Sequence, residues 1–279
     1  MEYITLNNGV KMPKVGYGVY LISPEECAHC VSNALEVGYR SIDTAQQYEN
    51  EEGVGEAWVK SGIAREELFL TSKIWISESG EEKAAKSIDE TLRKMRTDYL
   101  DLMLIHQAFG DYYGTWRAME KAYKAGKLRA IGVSNFFPDR LIDLHHFSEI
   151  KPMVNQIETH IIHQRKIDHE YMTKYGCVHE AWAPLGEGKN GLLHNPVICA
   201  IGEKYGKTAA QTILRFLVQS DVVVIPKSSR RERMAENLNI FDFALTEEEM
   251  NAIRALDQQQ TVFFKHYDPE IVEMFMTLA

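Results

Sequence analysis

The sequence predicts a (β/α)8 barrel, a TIM-barrel fold. Two observations carry the prediction: eight short apolar runs alternate with amphipathic stretches of ten residues or more, and no break in composition divides the 279 residues. Alternation of this kind favours a parallel sheet, and α/β barrels of about 250 residues fold as one domain. The chain is therefore read as one domain over 1–279. Strands are expected near 15–19, 39–43, 68–73, 100–106, 128–133, 153–157, 178–182 and 222–226. Helices are expected near 24–37, 50–61, 79–96, 113–125, 138–146, 168–175, 196–219 and 231–239.

Local chemistry marks the element ends. Ser23-Pro24-Glu25-Glu26 supplies an N-cap, a proline at the first helical position and acids in the first turn. Gly38, Gly126 and Gly176 each follow a helical pattern, as left-handed C-terminal residues do. Thr246-Glu-Glu-Glu249 is a capping box that opens one extra helix, to about Leu256. Ahead of the barrel, Asn8-Gly9 between apolar residues signals a two-residue hairpin, expected across the barrel bottom. After Thr261, Phe263, Phe264, His266 and Tyr267 make a tail too aromatic for free coil, expected to pack near the top face.

Composition narrows the function. A formal charge of −9 argues against phosphate-backbone binding and anionic membranes, and the one dense basic cluster, Lys227 to Arg233, is local. No apolar run approaches 18 residues, and the first residues lack a signal-peptide pattern, so a cytoplasmic protein is expected. Cys27-Ala-His-Cys30 lies within a helical run and has no second Cys pair at zinc spacing. It reads as an i, i+3 helical pair with sulfur in the core.

The candidate chemistry lies where the apolar runs stop. Asp43, Lys73 and His106 close the second, third and fourth runs, and Tyr48 follows Asp43 in its loop. Strand ends of a barrel share one mouth, so these four can converge. Together they suit reduction of a carbonyl, where hydride addition leaves an alkoxide that needs a proton. A phenol, with a pKa of about 10, holds that proton at neutral pH. A nearby ammonium favours phenolate and so lowers the phenol pKa, and a carboxylate holds the ammonium charged. A neutral imidazole can hydrogen-bond the carbonyl oxygen. Tyr48 is then the general acid, Lys73 and Asp43 its tuning pair, and His106 the orienting donor.

On these residues the sequence resembles the aldo-keto reductase family. The matching blocks run in order: Gly38-Tyr-Arg-Ser-Ile-Asp43, Tyr48-Glu-Asn-Glu-Glu-Gly-Val-Gly55, Leu70-Thr-Ser-Lys73-Ile-Trp75, Asp98 to His106, Gly126 to Phe136, Asn155-Gln156, Trp182 to Gly186 and Ile225-Pro-Lys227-Ser228. The resemblance implies NADPH bound without a Rossmann domain, and Gly16-Tyr-Gly18 indeed completes no Gly-x-Gly-x-x-Gly. It implies that Gly18 and Val19 approach the cofactor and that Asp43 touches its nicotinamide ribose. Ser134, Asn135 and Gln156 match positions that grip the carboxamide, and Trp182 one that stacks on the nicotinamide. Ala183, Pro184, Leu185 and Gly186 follow as cofactor contacts, with Ala183 in place of a common Ser that contacts pyrophosphate. Lys227, Ser228, Ser229 and Arg233 match the 2′-phosphate grip, and Glu236 and Asn237 the adenine side. Arg230 and Arg231 replace Thr-Pro and are expected to add charge favouring NADPH over NADH.

The substrate side departs from the family. Gln107 stands where Trp is common, and the loop after it and the C-terminal tail are short. A pocket open at one side is expected, walled by Tyr20, Trp75, Phe109 and the tail aromatics. With Tyr48, His106 and Gln107 facing it, it suits small aldehydes and ketones. The family inclines towards monomers. Two other readings stay open: a non-catalytic NADPH-sensing subunit on the same fold, and a metal-dependent or glycosidic barrel hydrolase. His160-Ile-Ile-His163 and His145-His146 prompt the metal reading, and Asp43 with Glu158 the glycosidic one. No metal site is expected.

Overall fold

The computed structural model describes residues 1–279. Strands β1 (Tyr3–Thr5) and β2 (Lys11–Pro13) form an antiparallel hairpin. Strands β3 (Tyr17–Gly18), β4 (Ser41–Asp43), β5 (Phe69–Ile74), β6 (Leu102–Ile105), β7 (Ile131–Ser134), β8 (Val154–Glu158), β9 (Val178–Trp182) and β10 (Val223–Val224) pair in parallel in chain order. A parallel bridge between Val15 and Val224 joins the last strand to the first and closes the barrel. The strands are buried on both faces, as parallel strands between a barrel core and a ring of helices must be.

The helices are α1 (Pro24–Val37), α2 (Glu51–Ser61), α3 (Glu81–Lys94), α4 (Tyr112–Lys124), α5 (Pro138–Phe147), α6 (Lys166–Lys174), α7 (Pro196–Tyr205), α8 (Ala209–Gln219), α9 (Arg231–Leu238), α10 (Glu247–Arg254) and α11 (Pro269–Met276). The caps act as their sequences imply: Ser23 accepts from Glu26 N, and Gly38 ends α1 at φ 118°. Thr246 and Glu249 complete the box that opens α10. Cys27 and Cys30 are buried in α1, and burial, then Cys30, pushes the Cys27 thiol up to about 12.

Two expectations are corrected. The hairpin loop has three residues, because Leu6 N donates to Val10 O and Gly9, at φ 89°, completes Asn7-Asn8-Gly9. It does lie at the barrel bottom, where Asn7 and Asn8 bond the carbonyls of Pro152 and Arg129. The stretch 196–219 is two helices: Gly206, at φ 64°, ends α7, and Thr208 opens α8. The aromatic tail ends in a helix, α11, that sits on the top face.

The break between α7 and α8 gives a test. Thr208 Oγ1 accepts from Gln211 N, and Gln211 Oε1 accepts from Thr208 N. Thr208→Ala is expected to lower the free energy of unfolding by about 1 kcal/mol in urea titration. An unchanged midpoint would show that the cap contributes nothing.

Candidate active site

Asp43 ends β4 with its side chain inside the barrel, facing Lys73 of β5. Lys73 is the fifth of six strand residues rather than the last, and it has no exposed surface. Its Nζ donates to Asp43 Oδ1 at 2.5 Å and Thr44 O at 2.9 Å, and lies 3.4 Å from Tyr48 Oη. Tyr48 ends a short turn, Gln46–Tyr48. Gln46 pins that turn, since its Oε1 accepts from Trp75 N and its Nε2 donates to Thr91 Oγ1. Asn50 holds the same loop to the one after β3, donating to Val19 O and Ile22 O and accepting from Thr44 Oγ1. Below them Glu51, buried, accepts from Ser72 and Thr91. The sequence reading assigned no role to Gln46, Asn50 or Glu51, although Asn50 and Glu51 lie in the block that begins at Tyr48.

His106 follows β6. Its ring meets Tyr48 edge-on at 5.7 Å and Trp75 at 5.0 Å, while Tyr20 packs on Tyr48 at 5.0 Å. Burial and then the Lys73 charge hold the imidazole pKa well below its ordinary value, so His106 is neutral at neutral pH. For Tyr48 burial raises the phenol pKa, and Lys73 pulls it down by less. The expected lowering by Lys73 is present, but it is the smaller effect. Burial opposes the Lys73 charge, yet Asp43 and Tyr48 outweigh it and keep the ammonium.

The expected cofactor positions fall in two groups. Around the tetrad, Asn135 Nδ2 donates to His106 O and Ser134 Oγ, and its Oδ1 accepts from Trp182 Nε1 at 2.9 Å. Ser134 Oγ donates to Gln156 O. Gln156 Nε2 donates to Asp43 Oδ2 and also to Glu180 Oε2, a buried acid that the sequence reading did not single out. Asn135 and Ala183 take positive φ, 61° and 47°, where the chain turns out of β7 and β9. Pro184, Leu185 and Gly186 continue from Ala183 into irregular turns over Gly186–His194.

The second group surrounds the start of α9. Gly18 passes so close to Ile225 that a Cβ there would meet Ile225 O at 2.9 Å. Tyr17 Oη donates to Ser228 O, tying β3 to this loop. Ser228 caps the turn by accepting from Arg230 N, and Ser229 is exposed. Lys227 and Arg233 are exposed and have no carboxylate partner, Glu236 is exposed, and Asn237 is buried. Arg231 does not add free charge here, because it pairs with Glu36 and Asn33 of α1.

On the substrate side α11 adds to the wall of Trp75 and Phe109, while Tyr20, Tyr48 and His106 keep exposed surface. Phe275 of α11 lies 6.1 Å from Trp75 and 5.6 Å from Phe109, and Trp75 Nε1 donates to Leu278 O. Gln107 is buried, with Oε1 unbonded. A cavity of about 400 Å³ lies to one side, between Asn135, Phe137, Arg165 and the 258–267 segment, and none of the tetrad lines it. His160 bonds Glu158, whose carboxylate also accepts from Thr261 and Val262 N, and His163 meets Arg165.

A family model described as the aldo/keto reductase family matches residues 14–258. The chain belongs to the aldo/keto reductase family. It is 48% identical to a glyoxal reductase of Bacillus subtilis over 263 residues, 94% of this chain and 95% of that protein. It is 41% identical to a methylglyoxal reductase of Salmonella typhimurium, covering 91% and 93% of the two chains. An aldo-keto reductase of Bombyx mori, solved in complex with NADP, superposes with a TM-score of 0.90 at 32% identity, covering 98% of this chain and 96% of that one. Membership and fold agree with the sequence expectation. No helix is long and apolar enough to cross a membrane.

The histidines of this oxidoreductase give a pH prediction. His106 and His179 are held well below the ordinary imidazole pKa, and His163 and His266 are lowered to about 4, in each case chiefly by burial. Below about 6.5 the unfolded chain binds protons that the folded one refuses. Their contribution is therefore fully present above that pH and is lost as pH falls. Urea unfolding at pH 5.5 is expected to show a loss of about 1 kcal/mol or more relative to pH 7.5. Glu180, raised to about 8, works in the opposite sense, so equal stability at the two values would mean that the histidine loss does not exceed that gain.

Proposed function

We propose that the protein reduces the carbonyl of small aldehydes and ketones with NADPH, reversibly, and that Tyr48 is the general acid. The observation that carries the reading is the continuous contact from Asp43 through Lys73 to Tyr48, with neutral His106 against the same phenol. Bound NADPH supplies the hydride. Tyr48 Oη then gives its proton to the forming alkoxide, and Lys73 stabilises the phenolate left behind. Neutral His106 donates a hydrogen bond to the carbonyl oxygen. Lys73 itself stays positioned by Asp43 and Thr44 O.

The residues present fit the cofactor. Gln156 Oε1 receives no bond from the protein, and Asn135 Oδ1 receives only one, so both can accept from a carboxamide N–H. Lys227 and Arg233 lack counter-ions at the start of α9, where a 2′-phosphate finds both charge and helix dipole. Trp182, held by Asn135, would offer a ring face to the nicotinamide, and Glu236 and Asn237 on α9 would take the adenine side. The roof of Trp75, Phe109 and Phe275 favours short substrates such as the dicarbonyls for which the relatives are named. All four tetrad residues come from one chain, which supports an active monomer, and we place its activity in the cytoplasm.

Fluorescence titration and steady-state reduction of methylglyoxal test this. NADPH is expected to quench Trp182 emission and to bind more tightly than NADH. Arg233→Ala should weaken NADPH about tenfold, as loss of a charge-assisted contact does, and leave NADH unchanged. Tyr48→Phe should bind NADPH as the wild type does while kcat falls about 100-fold or more. Retained turnover in Tyr48→Phe, or no binding of either nucleotide, would overturn the reading.

A further inference from the structure

Gln156 and Glu180 are register partners on β8 and β9, so their side chains leave the sheet at one height and on one face. Both are almost wholly buried, at 2% and 1% exposure. A buried glutamate is costly, and neither Tyr48 nor His106 bonds this one. Its only hydrogen bond is to Gln156. The bridging atom of Gln156 lies 2.9 Å from Asp43 Oδ2 and 2.8 Å from Glu180 Oε2. Asp43 is paired with the Lys73 ammonium, and a carboxylate only accepts. The bridging atom is therefore Nε2, and the amide has one allowed orientation. Both of its N–H bonds are committed to acids, and its carbonyl is left for something the protein does not provide.

We propose that Glu180 is a positioning residue: together with Asp43 it clamps the Gln156 amide so that Oε1 is preset to accept from the carboxamide of the nicotinamide cofactor. The inference rests on the reductase reading above. Burial, then the Asp43 charge, pushes the Glu180 carboxyl up to about 8, so it holds a proton at neutral pH. An uncharged Glu180 leaves Lys73 to Asp43 and Tyr48 while still supplying an acceptor.

Glu180→Gln keeps an acceptor oxygen, whereas Glu180→Met keeps the length and removes it. Glu180→Met is expected to raise the Kd and KM for NADPH about fivefold, the loss of one neutral hydrogen bond, with kcat within about twofold of wild type. Glu180→Gln should stay within about twofold on every constant. Far-UV circular dichroism checks folding. Should Glu180→Met not fold, the wild type decides: in the nucleotide-free protein both Gln156 side-chain N–H protons should resist solvent exchange, and rapid exchange of either would overturn the clamp. Wild-type NADPH affinity in Glu180→Met, or equal weakening in both variants, also overturns it. If the wild type binds no NADPH, the reductase reading falls and takes the clamp with it. Wild-type binding with an unresponsive Glu180→Met sinks the clamp alone.

Discussion

An ammonium with no exposed surface, Lys73 in the middle of a closed barrel, constrains everything around it. Removing such a charge from water costs several kcal/mol, and the cost is offset only by close partners with good geometry. Asp43 provides the counter-charge at 2.5 Å and Thr44 O a second acceptor. The third direction points to Tyr48. The phenol is buried enough to hold its proton and, at 3.4 Å, near enough to the ammonium to release it in the proposed reaction. Gln46, Asn50 and Glu51 then fix the loop carrying Tyr48. The same charge helps keep His106 neutral. One buried cation thus biases the proton states of two other groups, on each of which burial is the larger effect.

The tetrad and the barrel were legible because their signals are local and repeated. Polar residues that interrupt apolar runs at a recurring place mark strand ends, and eight such runs with helical patterns between them leave few alternatives to a closed barrel. Asp43, Lys73 and His106 could be read in this way. Glu180 could not. In a strand buried on both faces every residue is surrounded, so periodicity does not tell inward from outward. His179 points to His169 on α6, whereas Glu180 points to Gln156. The register of β8 and β9 sets Glu180 beside Gln156, and Asp43 reaches the same amide from β4.

The misread segments share a physical cause. The run 196–219 carries apolar residues at helical spacing on both sides of Gly206, which hides the break, and Asn8-Gly9 fits a two-residue and a three-residue loop equally well. The tail aromatics indicated contact with the top face, and Pro269–Met276 forms a helix there whose Phe275 adds to the wall of Trp75 and Phe109. Whether a pocket is open depends on side chains distant in sequence, and Trp75 with Leu278 is such a pair. The charge of Arg231 was legible, but its pairing with Glu36 of α1 was not.

The coupling of Lys73 to Tyr48 is tested most directly by the pH dependence of kcat/KM in wild type and folded Lys73→Met. In the wild type the basic limb reports loss of the Tyr48 proton. Without the ammonium the phenol should become a weaker acid. The basic limb should then move to higher pH while the rate at pH 7 falls. A limb at the same pH in both proteins would contradict the account, because Lys73 would then not set the acidity of Tyr48.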